Sequence, residues 1–213
     1  MSATSTAVTE GVARVRPVTA DDAPQLARML AGSFETCPAW GAFLPRHANH
    51  RLERMEHFFR FLLTRMYLRP GRECLTTQER AGAALWDPPG EWKLGAADNV
   101  RMLAAMVPVF RRHLPHAVAC FNAMDAGHPA EPHWYLSVLG VDRTARTAGV
   151  ASALIAPVLN RCDREGVAAY TETGRPRSRD FYSEHGFDVI EEFELPGGGP
   201  AVWRMWREPR REE

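Results

Sequence analysis

Lysine is almost absent from this chain: of 26 basic residues among 213, only Lys93 is a lysine, and the other 25 are arginine. Neither sign of charge dominates, because 26 Asp and Glu balance the 26 Lys and Arg. Without a basic field, nucleic acid and anionic membrane surfaces are excluded as default partners, and small-molecule chemistry is expected instead. No C-x-x-C pair occurs. Cys37, Cys74, Cys120 and Cys162 lie far apart, which argues against a zinc site or a disulfide framework and for a reducing cytoplasm. No apolar run approaches the ~20 residues needed to cross a bilayer. The first ten residues have no charged start leading into an apolar stretch, so a secretory leader is not expected.

What is present fits one domain with a substantial core. Residues 1–11 are small and polar and are expected to be a disordered lead-in, with a single domain over 12–207 and a charged tail at 208–213. Alternation over 12–17 predicts a first strand. Thr19-Ala20-Asp21-Asp22 reads as an N-cap, and Leu26, Met29, Leu30 and Phe34 follow at helical spacing. A second helix is predicted from His47 to Leu68, with Glu35 to Gly41 as the connecting loop. Residues 73–78 and 81–86 read as a hairpin stopped by Asp87-Pro88-Pro89-Gly90, and 92–127 as helical, broken by Pro108 and Pro115. The order then becomes strand, helix, strand, helix, strand, strand at 133–141, 149–165, 168–173, 177–185, 187–194 and 201–206, which predicts a mixed α/β sheet.

The junction after the 133–141 strand is the most informative segment. The apolar run Tyr135 to Val141 delivers the chain to Arg146-Thr147-Ala148-Gly149-Val150-Ala151, which opens a helix. Such a turn exposes successive backbone N–H groups, and the helix N-terminus adds about half a unit of positive charge, so a pyrophosphate is stabilised there. Gly149 can take positive φ, and Arg143 and Arg146 supply charge-assisted donors. Gly140, inside the strand, marks a bulge or a close backbone approach. About thirty residues on, Phe181-Tyr182-Ser183-Glu184-His185-Gly186-Phe187 places a tyrosine on a short helical turn closed by Gly-Phe.

Together these elements resemble the GNAT superfamily of N-acetyltransferases over roughly residues 132–188. The runs Trp134 to Val141, Glu172-Thr173 and Pro176 to Phe187 are most similar to puromycin N-acetyltransferase-like members. Thr147 and Ala148 depart from the pattern, where Gly and a basic residue are commoner. The resemblance implies an α/β fold with a central, mostly antiparallel twisted sheet of six to seven strands flanked by helices. It also implies a splayed strand pair that holds acetyl-CoA as co-substrate. By the same resemblance, Leu139, Gly140, Val141, Arg143, Arg146, Thr147, Ala148, Gly149, Val150, Ala151 and Ser152 line the cofactor path. Phe34, Glu35 and Trp40, on the first helix and its connection, are acceptor-site candidates.

Amine acetylation needs a neutral amine, a polarised thioester carbonyl and a proton for the departing thiolate. Tyr182 is the candidate proton donor, against the plain reading of a core tyrosine. Glu172 is the leading base, or equally a carboxylate that only orients the amine. His133 is the rival base, with an unperturbed pKa near 6.5. No metal is expected, because His47/His50 and His113/His116 lack a third ligand. The expected function is direct acetyl transfer to a primary amine of a small molecule, such as a puromycin-like antibiotic, with antibiotic resistance as one role, by a cytoplasmic monomer or homodimer. Acetylation of a protein or peptide, and a non-catalytic acyl-CoA-binding regulatory module, are the alternatives.

Overall fold

A computed structural model describes residues 13–145 and 149–210. Seven strands form one sheet in the order β1-β2-β3-β4-β5-β7-β6. They are β1 (Val15–Pro17), β2 (Glu73–Thr77), β3 (Gly82–Asp87), β4 (His133–Val141), β5 (Ala168–Thr173), β6 (Asp188–Glu194) and β7 (Ala201–Arg207). Only the central β4–β5 pair is parallel; the other neighbours are antiparallel. The residue pattern predicted a mixed sheet, and the resemblance implied that it would be mostly antiparallel, as observed.

Two apolar layers cover it. On one face lie α1 (Ala23–Phe34), α2 (Pro38–Phe43), α3 (Arg51–Phe61), α4 (Ala96–Phe110) and α5 (Leu114–Ala126); on the other lie α6 (Val150–Glu165) and α7 (Pro176–Glu184). Helix α1 buries Leu26, Ala27, Leu30 and Ala31 at helical spacing. Its entry is fixed by Asp22, whose carboxylate accepts from the Thr19 amide and hydroxyl and from Arg16 and Arg80. These partners hold the Asp22 carboxyl far below the usual carboxylate range, the Arg16 bond contributing most. Among the described residues no helix is long and apolar enough to cross a membrane.

Three elements differ from the sequence expectation. The 35–41 connection contains α2, which starts with Pro38 in its first turn and buries Trp40 and Phe43 one turn apart. Helix α3 begins only at Arg51, because His50 takes a left-handed conformation (φ 54°). It then widens into a π turn over Leu62–Tyr67, with Leu68 N–H bonded to Leu63 O at 2.9 Å. Between the paired strands β3 and β4 the expected helical span becomes α4 and α5, but α4 runs through Pro108 and the break falls at Arg111, which takes φ 48°.

Candidate functional site

The site begins where the parallel pair comes apart. Rungs join β4 and β5 from His133↔Ala168 to Leu136↔Thr171. Beyond that, Val138 to Val141 pair with β3, and Glu172 and Thr173 pair with β7. The Thr171 hydroxyl donates to Leu136 O at 2.9 Å, pinning the last rung. Just past it, Leu85 pairs with Val138 and Trp86 with Leu136, which leaves Ser137 as the extra residue of a bulge. A bulge bends its strand and changes which side chains face which layer. Val138 accordingly packs on the α1 side, whereas Trp134 and Leu136 pack on the α6 side. Gly140 then lies under α1, where an added Cβ would come within 2.5 Å of Leu30 Cδ2.

Side chains from both faces meet at this split. A cavity of about 120 Å³ is lined by Phe34, Trp40, Leu139, Glu172 and Tyr182 among others. Alternation along β5 sends Thr171 toward Tyr182 and Glu172 to the opposite face beside Tyr170. Tyr182, on α7, is wedged between the Phe181 and Phe187 rings at 5.3 and 5.6 Å. Burial pushes its phenol well above the usual range, a shift the Thr171 hydroxyl opposes. It is therefore protonated at neutral pH. Glu172 Oε1 accepts from Tyr170 OH at 2.8 Å and lies 3.4 Å from Arg204 Nε. Burial outweighs both contacts and raises the Glu172 carboxyl to about 7. An acid that keeps its proton and a carboxyl poised near neutrality thus flank one slot.

Residues 73–187 match the family model described as Acetyltransferase (GNAT) family, more than half of the chain. The chain belongs to the GNAT acetyltransferase family. A crystal structure of histone acetyltransferase HPA2 and related acetyltransferase from Corynebacterium glutamicum ATCC 13032 shares its fold with a TM-score of 0.72 and 24% identity, over 95% of this chain and 99% of that one. An uncharacterized N-acetyltransferase from Schizosaccharomyces pombe is 37% identical over 81 residues, which is 37% of this chain and 33% of that protein. A probable serine/threonine-protein kinase from Dictyostelium discoideum is 35% identical over 81 residues, 37% of this chain and 11% of that protein. The chain thus spans a third or less of these two curated relatives.

In this acetyltransferase the sequence-selected residues fall into several groups. Phe34 and Trp40 line the small cavity with Leu139, Glu172 and Tyr182. Glu35 does not; it points outward to an ion pair with Arg143 at 2.7 Å, tying the end of α1 to the turn after β4. Arg146, Thr147 and Ala148 lie outside the described residues. Gly149 takes φ 67° and its carbonyl starts α6 by accepting from Ala153 N–H. Val150 and Val141 are buried in the α6 layer, while Ala151 and Ser152 are half-buried in the first turn.

His133 is held away from the slot. It sits at the opposite end of β4, 1% exposed. Its Nδ1 lies 2.6 Å from Glu131 O, an oxygen that can only accept, so Nδ1 carries the proton. Nε2 then accepts from His128 Nε2–H at 2.9 Å. Burial lowers the pKa of both rings, that of His128 to about 3. With both nitrogens engaged, His133 offers no lone pair to a substrate.

Other residues carry the site without a sequence motif. Tyr170 and Arg204 hold Glu172, and Arg204 also bonds Glu191 at 2.6 Å and the Ala123 carbonyl of α5 at 2.7 Å. The signal for Tyr170 is its place two residues before Glu172 on one strand face. Arg204 pairs directly with Glu172 in the β5–β7 register, legible only once that register is known. Beside the split, under α4 and α5, lies a larger cavity of about 590 Å³. A hydrogen bond of 2.5 Å between Tyr67 OH, on its wall, and Ser137 Oγ, on the wall of the smaller one, joins the two. Among the described residues no group of three His, Cys, Asp or Glu is placed to hold a metal ion.

Proposed function

We propose that this enzyme transfers the acetyl group of acetyl-CoA directly to a primary amine of a small molecule. The observation that carries the reading is the pairing, across one strand split, of the Glu172 carboxyl raised to about 7 with the fully protonated Tyr182 phenol. The unpaired edges of β4 and β5 suit an extended pantetheine arm, and the left-handed Gly149 at the start of α6 suits a pyrophosphate.

In this reading Glu172 takes a proton from the incoming ammonium group. The freed nitrogen lone pair attacks the thioester carbonyl, whose oxygen gains charge and accepts from a backbone N–H between Leu139 and Val141. As the carbon–sulfur bond breaks, the Tyr182 phenol protonates the sulfur, so CoA leaves as the thiol and the amide remains. The nitrogen, positively charged after its attack, gives up its extra proton through solvent to the Tyr182 phenolate, and Glu172 releases its own proton to bulk water.

The enclosed walls around Phe34 and Trp40 favour a small acceptor over a peptide. Puromycin-like aminonucleosides fall within that class, with a resistance role and a cytoplasmic location to match. The test is CoA thiol release with puromycin, arylalkylamines, polyamines, aminoglycosides and lysine peptides. Turnover of a small amine is expected. Turnover confined to peptides would overturn the small-molecule reading, and acetyl-CoA binding without turnover of any amine would favour the regulatory module.

A further inference from the structure

The cavity of about 590 Å³ is roofed by the α4–α5 pair, which is set between the neighbouring strands β3 and β4. Its size lies in the range of small-ligand sites. The walls are largely apolar: Leu62 and Met66 from the π turn, Met102 and Met106 from α4, and Val118 and Phe121 from α5. Flexible thioethers on two of these walls let the lining adapt to chains of differing shape.

The polar groups in it are few and not equivalent. Asp87 is 2% exposed and already satisfied, by an ion pair with Arg72 and by Tyr67 OH. Lys93 stands exposed over the Trp92 ring, 5.1 Å from its centroid. Asp125 differs from Asp87. Among the described residues no side chain hydrogen-bonds or ion-pairs with its carboxylate, although it lines the cavity. Burial raises its carboxyl pKa, a shift that the Lys93 ammonium on the same cavity opposes through space, even though the residue stays open to solvent. It is also close enough to Glu172 to push that carboxyl upward. Tyr135 continues the path, its ring 5.6 Å from Tyr170, which holds Glu172.

Resting on the reading above, we infer that this cavity receives the apolar body of the acceptor and that Asp125 attracts its ammonium group and delivers it to Glu172 in the adjoining slot, so the preferred substrates are monoamines with an alkyl or arylalkyl chain. One open carboxylate satisfies one ammonium. A second cation carried inward, as on a polyamine, would be stripped of water against methionine and leucine with no partner. An α-carboxylate on the acceptor would sit beside both Asp125 and Glu172 and be repelled.

The experiment is steady-state kinetics with acetyl-CoA on ethylamine, hexylamine, phenethylamine, putrescine and phenylalanine. The enzymes are the parent, Asp125→Asn and Leu103→Trp. Leu103 lines the cavity but is 49% exposed, so a larger side chain there is compatible with folding. In the parent, kcat/KM should rise from ethylamine to hexylamine and phenethylamine and be lower for putrescine and phenylalanine. Asp125→Asn should raise the monoamine KM roughly tenfold to a hundredfold, as expected for losing a hydrogen bond between charged groups, with kcat and the acetyl-CoA KM little changed. Leu103→Trp should penalise the long amines and spare ethylamine. Turnover that ignores chain length, prefers putrescine or survives Asp125→Asn unchanged would overturn this inference alone. No thiol release with any amine, from an enzyme that binds acetyl-CoA, would overturn the transfer reading and this inference with it.

Discussion

The Tyr170 hydroxyl donates to Glu172 at 2.8 Å and stabilises the ionised carboxylate in a place where burial favours the protonated form. The two effects oppose, and burial prevails, leaving Glu172 near 7 rather than higher. Tyr170→Phe removes the donor and leaves the burial. The acidic limb of the kcat/KM profile should then move to higher pH by about one unit, the equivalent of one hydrogen bond to a charged group. An unmoved limb would remove Glu172 as the group that sets it.

Glu172 itself links activity to stability. Its folded pKa, about 7, lies above the ordinary value of 4.5, so the folded state holds that proton more tightly than the unfolded one. Its contribution is most favourable below pH 4.5 and is lost as pH rises to 7, a difference of about 3 kcal/mol. Glu172→Gln should therefore raise Tm relative to the parent at pH 8 and lose that advantage at pH 4. The same variant should lower kcat/KM by about a hundredfold or more at neutral pH. Denaturation scans at the two pH values and initial rates check both outcomes.

Tyr182→Phe keeps the ring between Phe181 and Phe187 and deletes the proton. We expect kcat to fall at least tenfold while the acetyl-CoA Kd, measured by calorimetry, stays within about twofold. Equal losses in both would mark a packing tyrosine.

Gly149 has φ 67°, and nothing lies within 4 Å of where its Cβ would stand. Any defect on substitution therefore comes from backbone strain, about 1–2 kcal/mol for an ordinary side chain. Gly149→Val should weaken acetyl-CoA binding, and Gly149→Asn, which tolerates the left-handed region, should weaken it less. Equal affinity for all three proteins would detach this turn from cofactor binding.

Local pattern made much of the fold legible, since the strands from 133 onward and α6 and α7 follow from alternation, spacing and glycine stops. Pairings between distant strands were not legible. Gly140 marks α1's close approach, whereas the bulge belongs to Ser137, because the offset against β3 decides it. Glu172 and Tyr182 could be singled out by motif, but Arg204 is a site residue only through its register with Glu172. The His133–His128 bond depends on how 127–132 returns to the sheet, which no local pattern encodes. The large cavity owes its existence to helix packing over β4 and left no trace in residue order.

The position of α4 and α5 divides the gene as well as the protein. Everything proposed to handle the donor, from β4 through α7, is one uninterrupted stretch of sequence, while the roof over the larger cavity is a separate segment between two strands that pair without it. Substitutions, or exchange of that segment for another, can redirect substrate choice while the acetyl-handling stretch stays under its own selection. On the inference above, a change of specificity through this segment has to keep the α5 carbonyls of Ala123 and Met124, which anchor Arg204 beside Glu172.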